Sequence, residues 1–270
     1  MIGCWQLGES LVDPGPSSCL DALLEGLDRE PRRLLLTHIH LDHAGAAGSL
    51  VERFPELEVC VHEIGIRHLA DPSRLLDSAR RLYGDQMDEL WGPVLPVPER
   101  NLRSLRGGEE LSGGVVVLYA PGHASHHVAY LIDGVAYVGD VAGVRIPPAQ
   151  FVLMPTPPPD IDVELWLDSI ERVAAARPAR LALTHFGAVD QVGRHLDAAR
   201  RGLREIAALA RERDQGGFVE AVVSRIVAAA GGKEGRRYEQ AAPPWQLYLG
   251  LERYWAGQPA TRPRPGCARW

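Results

Sequence analysis

The hydrophobic positions of this chain fall into short runs that stop abruptly at residues with acid–base or metal-binding chemistry. Four such runs, rich in Leu and Val, cover residues 33–37, 115–119, 135–138 and 180–184. Short apolar runs bounded by turn signals are typical of buried strands, although periodicity alone does not separate them from buried helices. The polar residues that follow them are His38, His123, Asp140 and His185. Because ligands in layered α/β folds bind where strands end, we expect these side chains to meet at one edge.

Apolar residues spaced three or four positions apart predict helices in much of the remaining chain. Asp71-Pro72 and Asp160 are the expected starts of two of them, because Asp can cap the free N–H groups of a first turn. The predicted apolar faces lie within residues 75–82, 166–173, 192–210, 218–230 and 245–255. Gly231-Gly232 is expected to end the fourth helix, and the tail from Gln258 to Trp270 is expected to be irregular.

A proline-rich segment directly follows Asp140. Residues 146–160 contain six prolines, which are too many for a helix or a central strand. We therefore expect a stiff loop beside the site that Asp140 belongs to.

Composition narrows the class of partner. The chain has 270 residues, of which 46% are hydrophobic and 24% charged, as is usual for a globular protein. Its formal net charge of -6 argues against nucleic acid as a partner, since phosphate binding favours a basic surface. No run approaches the roughly 18 to 20 apolar residues of a membrane span. We expect a small-molecule substrate and no membrane or nucleic-acid partner, with a homodimer as a candidate assembly.

The N-terminus and the cysteines predict a reducing, cytoplasmic location. The first fifteen residues show no basic segment followed by an apolar one, so they do not resemble a signal peptide. The cysteines have neither disulfide-framework nor zinc–thiolate spacing, and they lie at Cys4, Cys19, Cys60 and Cys267.

The strongest chemical signal is the segment His38-x-His40-x-Asp42-His43. Residues two apart in an extended or loop backbone project to the same side, so His38 and His40 can bind one ion together. Asp42 and His43 then turn toward a second ion. Imidazole with carboxylate suits zinc, and also iron or manganese.

Each ion needs more ligands than this segment provides. His123, Asp140 and His185 can supply them, each after a predicted strand. Asp140 is the natural bridge, because one carboxylate can give an oxygen to each metal. The sequence therefore predicts a centre with two metals.

These motifs resemble those of the metallo-β-lactamase superfamily of hydrolases, specifically its glyoxalase II-like branch. The resemblance spans about residues 4 to 190 and is carried by the histidine segment together with Asp13-Pro14-Gly15, Pro121-Gly122-His123, Gly139-Asp140 and Thr184-His185. It implies a four-layer α/β fold, the αββα sandwich, over residues 1–190. We expect residues 191–270 to form a C-terminal helical extension that packs on it.

The resemblance also implies a ligand set. It places His38, His40 and His123 on the first metal and Asp42, His43 and His185 on the second, with Asp140 and a hydroxide as bridges. Asp13 resembles an aspartate that supports the ligand loop. Family members usually have one or two more strands before this Asp, whereas only a dozen residues precede it here. A lost edge strand or a start codon assigned too late would explain the difference, and we expect the first sheet to be less complete.

The predicted function is metal-dependent hydrolysis of a small ester, thioester or lactone by two Zn²⁺ ions per chain, with iron or manganese as alternative metals. Asp140 and Asp42 are the expected catalytic residues, Asp42 as the carrier of a proton to the leaving group. A persulfide dioxygenase-like activity with one iron is an alternative, and so is a phosphodiesterase or nuclease activity of the same superfamily.

The other notable side chains are expected to be structural. His126 and His127 should pack and hydrogen-bond beneath the site, while His195 should be solvated on a helix. His62 and His68 are expected to be structural as well. Tyr83, Met87 and Trp91 could line a substrate pocket, although an aromatic helix face is more often core.

Overall fold

The computed structural model describes residues 2–258, so Cys267 and nearly all of the tail lie outside the described residues. One sheet has the strand order β1-β2-β3-β4-β5. Its strands are β1 (Trp5–Leu7), β2 (Ser10–Val12), β3 (Arg33–Leu35), β4 (Glu58–His62) and β5 (Leu102–Leu105). β1 pairs antiparallel with β2, and the other neighbours are parallel. The short β1–β2 ribbon forms the edge of this sheet ahead of Asp13.

The second sheet has the strand order β11-β10-β9-β8-β7-β6. Its strands are β6 (Glu110–Leu111), β7 (Val115–Tyr119), β8 (Val128–Ile132), β9 (Val135–Gly139), β10 (Arg180–Leu183) and β11 (Gly187–Val189). β9 and β10 are parallel and the remaining neighbours are antiparallel. As a result β7, β9 and β10 all point the same way, and their carboxyl ends share one edge.

Helices cover the outer face of each sheet. They are α1 (Leu20–Glu25), α2 (Leu41–Ala44), α3 (Ala47–Arg53), α4 (Glu63–Ala70), α5 (Ser73–Tyr83), α6 (Met87–Trp91), α7 (Val163–Ala175), α8 (Val192–Glu212), α9 (Gln215–Ala241) and α10 (Pro244–Gly257). None of these helices is both long enough and apolar enough to cross a bilayer.

Side-chain alternation along the strands builds the layers. In and just after β3, Leu34 and Leu36 pack toward the first helical layer, while Leu35 packs between the two sheets. In β8, Tyr130 joins the core between the sheets and Ala129 joins the core under the second helical layer. Because successive side chains of a strand point to opposite faces of the sheet, one strand contributes to two cores. The result is the predicted αββα sandwich.

The C-terminal helices share their core with the second sheet. Trp166 of α7, Leu203 of α8 and Phe218 of α9 belong to the same buried cluster as Val138 of β9 and Leu181 of β10. Burying a large apolar side chain contributes about 1.5 to 3 kcal/mol, so this shared core fixes α7–α10 firmly against the sheet.

The predicted start of one helix was wrong. Asp162 caps α7, since its Oδ1 accepts from the backbone N–H of Leu165 at 3.0 Å; Asp160 instead accepts from the N–H of Ser125 at 2.8 Å. The predicted end at the glycine pair is confirmed, because Gly231, at φ 77° and ψ 175°, ends the first helical segment of α9. A second helical segment follows this kink and continues to Ala241.

Candidate metal centre

The seven predicted ligands lie together at the edge where the strands end. His38 follows β3, His185 follows β10, and Asp140 directly follows β9. His123 lies in the loop between β7 and β8. The short helix α2 carries Asp42 and His43, and His40 is the residue that precedes it.

A first group consists of His38, His40 and His123, whose ligand atoms lie within 4.8 Å of one another. The Nδ1 atom of His40 lies 3.0 Å from Nε2 of His38 and 3.0 Å from Nε2 of His123. Nitrogens about 2.0–2.1 Å from one tetrahedral zinc would lie about 3.3 Å apart. The spacing therefore suits three imidazoles around one ion.

A second group consists of Asp42, His43 and His185, again within 4.8 Å. The Oδ2 atom of Asp42 lies 3.3 Å from Nε2 of His185 and 3.6 Å from Nε2 of His43. This group differs from the first in containing a carboxylate of its own.

Asp140 lies between the two groups and presents one oxygen to each. Its Oδ2 lies 3.3 Å from Nε2 of His123, in the first group. Its Oδ1 lies 3.3 Å from Nε2 of both His43 and His185, in the second group. This is the arrangement of a bridging carboxylate.

Asp13 ties the two ligand loops to each other. Its Oδ2 accepts hydrogen bonds from the hydroxyls of Thr37 at 2.7 Å and Thr184 at 2.8 Å, the residues before His38 and His185. The same oxygen lies 2.8 Å from Nδ1 of His43. Since a carboxylate only accepts, Nδ1 of His43 carries the proton and Nε2 is left free as a ligand.

Other contacts orient the remaining side chains. Nδ1 of His123 donates to the carbonyl oxygen of Pro155 at 2.8 Å, which leaves Nε2 free. Beneath the site, Nε2 of His127 accepts from the backbone N–H of Asp140 at 3.2 Å. The structure thus confirms the packing and hydrogen-bonding role predicted for His127. His126 is buried there as well, stacked at 6.2 Å on the His38 ring.

Two glycines allow the close approach of these loops. A Cβ on Gly139 would lie 2.5 Å from Oγ1 of Thr37, and one on Gly122 would lie 2.3 Å from the backbone of Trp166. Both have positive φ values, 49° and 127°. Only glycine satisfies both conditions next to Asp140 and His123.

The donor atoms fit bound cations. Nε2 of His43 and Oδ1 of Asp140 are fully buried and have no hydrogen-bond partner among the described residues. Buried polar atoms without a partner are costly unless a ligand such as a metal ion satisfies them. Together with the two convergent groups, these atoms indicate room for two ions with nitrogen and oxygen donors.

The protein's own charges distinguish the two groups. Burial lowers the pKa of His38, and burial with the neighbouring His123 lowers the pKa of His40 to about 3. Burial acts the same way on His43 and His185, but the carboxylates, led by Asp140, outweigh it and raise both pKa values. The first group therefore holds neutral imidazoles, and the second attracts positive charge.

A pocket opens on the metal centre. The pocket and its solvent-filled mouth together take up about 740 Å³, and His40, Asp42, Asp140 and His185 lie at the base. Three other segments line the pocket, and we call them together the pocket roof. They are residues 75–91 of the α5–α6 region, residues 155–159 of the proline-rich loop and residues 241–247 at the α9–α10 junction. The proline-rich loop lies beside the site, as predicted.

The sequence predicted some of the residues of the pocket roof and missed others. Tyr83 and Trp91 line the pocket, whereas Met87 does not. Gln246, which the sequence patterns did not indicate, also lines the pocket and lies near the hydroxyl of Tyr83. A lone Gln on a helix carries no signal of such a role.

The prediction for His195 was wrong. Its side chain is only 4% exposed, and its Nε2 donates to the carbonyl oxygen of Ala142 at 2.9 Å. The helical periodicity places this position beside Leu196 and Ala199 on the inner side of α8, where burial follows from packing. His62 has the expected structural role, since it is buried and stacks on Tyr119 at 4.7 Å.

The family profile of the metallo-beta-lactamase superfamily matches residues 10–185. The chain belongs to this superfamily. A curated relative is the metallo-beta-lactamase fold-containing protein ST1585 of Sulfurisphaera tokodaii, 28% identical over 70% of this chain and 72% of its own length. The hydroxyacylglutathione hydrolase of Aeromonas hydrophila is also 28% identical, over 48% of this chain. That match spans only 41% of the hydrolase.

Solved structures give the same fold. The crystal structure of ST1585 superposes with a TM-score of 0.66 at 22% identity, covering 92% of this chain and 88% of that one. TTHA1623, described in a di-iron-bound form, gives a TM-score of 0.55 at 28% identity over 74% of this chain and 91% of its own.

Proposed function

We propose that this protein is a metal-dependent hydrolase that holds two metal ions and cleaves a small ester, thioester or lactone. The observation that supports this best is Asp140, whose two oxygens face two separate groups of ligand atoms at the base of a pocket. The ligands we propose are His38, His40 and His123 for one ion and Asp42, His43 and His185 for the other, bridged by Asp140.

When bound, a metal pair lowers the pKa of a water molecule and polarises a carbonyl group. The chain's own residues position the ligand atoms and transfer a proton to the leaving group. Asp140 holds the two ligand groups at a fixed separation, and Asp13 fixes the tautomer of His43. Asp42 is 23% exposed, the most accessible carboxylate at the base of the pocket, so we assign it the transfer of a proton to the leaving group.

The chemistry of the pocket supports a neutral acyl substrate. Leucines and prolines make up much of the lining, and no Lys or Arg among the described residues contributes to it. A phosphodiester or a glutathione thioester carries negative charge that such walls would not neutralise. An ester, thioester or lactone with an apolar acyl group fits these walls better.

The donor set supports zinc as the metal, because imidazoles and carboxylates without thiolate bind it well. The same donors suit iron, and TTHA1623 is a di-iron-bound relative of this fold. We propose two Zn²⁺ ions per chain, with iron as the alternative. A cytoplasmic location and a homodimer stay predictions from the sequence.

Metal quantification on the purified protein, combined with a substrate panel, tests the proposal. The panel contains an aryl ester, a thioester, a medium-chain lactone and an aryl phosphodiester. We expect two metals per chain, hydrolysis of at least one acyl substrate, and loss of turnover after chelation. One iron per chain with oxygen consumption on a persulfide would contradict the proposal, as would preferential cleavage of the phosphodiester.

A further inference from the structure

We propose that a second pocket, separate from the metal centre, binds a phosphate group. It encloses about 460 Å³ of open space between the chain that follows Asp140 and the start of α8. The polar side chains that line it are Arg145, Gln150, Gln191, Arg194, His195 and Arg201.

The charge of this pocket contrasts with that of the molecule. The chain carries a net charge of -6, yet three arginines and no Asp or Glu line the pocket. Among the described residues, no carboxylate lies within ion-pair distance of Arg145, Arg194 or Arg201. Arg200, on the same helix, pairs with both Glu171 and Asp197. Arg194 donates to Oε1 of Gln191 at 3.4 Å and Arg145 donates to the carbonyl oxygen of Ala149 at 3.5 Å. Both acceptors are neutral, so the positive charge of the three guanidinium groups is available to an anion in this cavity.

The start of α8 adds to the positive field. The residue before the helix, Gln191, makes no side-chain cap, and the first-turn N–H groups of residues 192–194 have no acceptor among the described residues. The pocket lies along the side of α8 that carries residues 194, 195, 198 and 201, so it begins within the first turn, and the positive end of the helix dipole adds to the field of the arginines.

The floor of the pocket is rigid and connects to the metal centre. His195 is buried there, and its bond to Ala142 holds the turn that follows Asp140. The backbone N–H of Arg145 also donates to the carbonyl oxygen of His185 at 3.2 Å. A preformed floor lets an anion bind without ordering a loop first.

The donors suit a phosphate better than a carboxylate. Each planar guanidinium can donate two parallel hydrogen bonds, and three of them with two glutamine amides can satisfy a tetrahedral dianion from several sides. The source of this group is either inorganic phosphate or a small phosphate monoester. Both present the same dianion, and they differ only in the organic part.

Titration calorimetry on the metal-loaded protein tests the proposal, with inorganic phosphate and phenyl phosphate as separate ligands at constant ionic strength. The variant Arg194→Ala/Arg201→Ala removes two lining charges from exposed positions. The matched control Arg204→Ala/Arg213→Ala removes two exposed arginines near the same helix that do not line the pocket. We expect the pocket variant to weaken phosphate binding at least ten-fold and the control to stay within two-fold of the wild type.

Phosphate held by the metals would persist in the pocket variant, so the difference between the variants reports this pocket alone. Tighter binding of phenyl phosphate than of inorganic phosphate identifies a monoester as the source, and equal or weaker binding identifies free phosphate. Equal affinity in wild type and pocket variant overturns the proposal, and so does an equal loss in the control. No detectable binding of either ligand at millimolar concentration also overturns it.

Discussion

The metal centre and the pocket roof meet at one cavity, but their side chains are held in different ways. In the metal centre, bonds to neighbouring groups orient buried imidazoles: His43 contacts Asp13, and His123 contacts the carbonyl of Pro155. The pocket roof consists mainly of apolar side chains from three separate segments. Its polar contacts are few, such as the hydroxyl of Thr156 on the carbonyl of Leu247 at 3.0 Å.

The difference separates reactivity from selectivity. A metal site requires ligand atoms fixed within about half an ångström, and buried hydrogen-bonded side chains supply that precision. A binding surface requires shape, which many apolar combinations provide equally well. We therefore expect substitutions in the metal centre to remove turnover, and substitutions in the pocket roof to change which substrate reacts.

The most severe test of this division is Asp140→Ala. It removes the carboxylate that presents one oxygen to each ligand group, so we expect turnover to fall by about 10³-fold or more and bound metal to fall below two per chain. Metal analysis and steady-state kinetics on the same preparation measure both effects. Asp168→Ala is the control, since Asp168 is exposed on α7. Full activity and metal content in Asp140→Ala would remove the basis for the bridging role.

Asp13→Asn tests how much the hydrogen bonds of Asp13 to the ligand loops contribute to metal affinity. The change weakens an acceptor that serves Thr37, Thr184 and His43, so we expect metal affinity to fall about 10- to 100-fold. Competition with a chromogenic chelator measures the affinity. The exposed Asp28→Asn is the matched change on the surface. An unchanged metal affinity would show that the ligand loops keep their positions without the hydrogen bonds of Asp13.

The same division explains what the sequence could predict. The ligands follow short apolar runs and stand in a tight motif, so local chain order already places His38, His40 and Asp42 together. The roof depends on contacts distant in sequence, such as the one between Tyr83 and Gln246. No local pattern records which helices will face each other. His195 was misjudged for a related reason: only its packing shows that this polar side chain faces inward.

In the metal-free protein, a change of pH should affect two sets of buried histidines at the metal centre in opposite directions. Burial lowers the pKa values of His38, His40 and His127, so these imidazoles take up protons near pH 6.5 only in the unfolded chain. Their contribution to stability is present above pH 6.5 and is lost as the pH falls, in the case of His40 toward about 3. The raised pKa values of His43 and His185 act in the opposite direction, since their contribution is present below pH 6.5 and lost at higher pH.

More histidines have a lowered pKa than a raised one among those named above. The urea concentration at the unfolding midpoint of chelator-treated protein should therefore decrease as the pH falls from 7 to 5. Denaturation curves at several pH values measure this slope. His127→Gln keeps an acceptor for the N–H of Asp140 and removes one titrating ring, so its slope should be shallower. A slope identical to that of the wild type would locate the acid sensitivity elsewhere.

The smallest expected effect comes from Tyr83→Phe in the pocket roof. The change removes a hydroxyl that lies near Gln246 and Asp42 but keeps the apolar ring, so metal content and folding should not change. Losing one hydrogen-bonding group at the substrate corresponds to about 0.5 to 1.5 kcal/mol, or roughly a two- to twelve-fold lower kcat/KM. Kinetics with two esters that differ in acyl length measure it, and Tyr254→Phe on α10, outside this pocket, is the control. We expect the two esters to respond unequally, because a contact that selects substrate acts on the bound acyl group. An equal loss for both esters together with a loss of metal would instead make Tyr83 part of the metal centre, and the division between the two regions would fail at this residue.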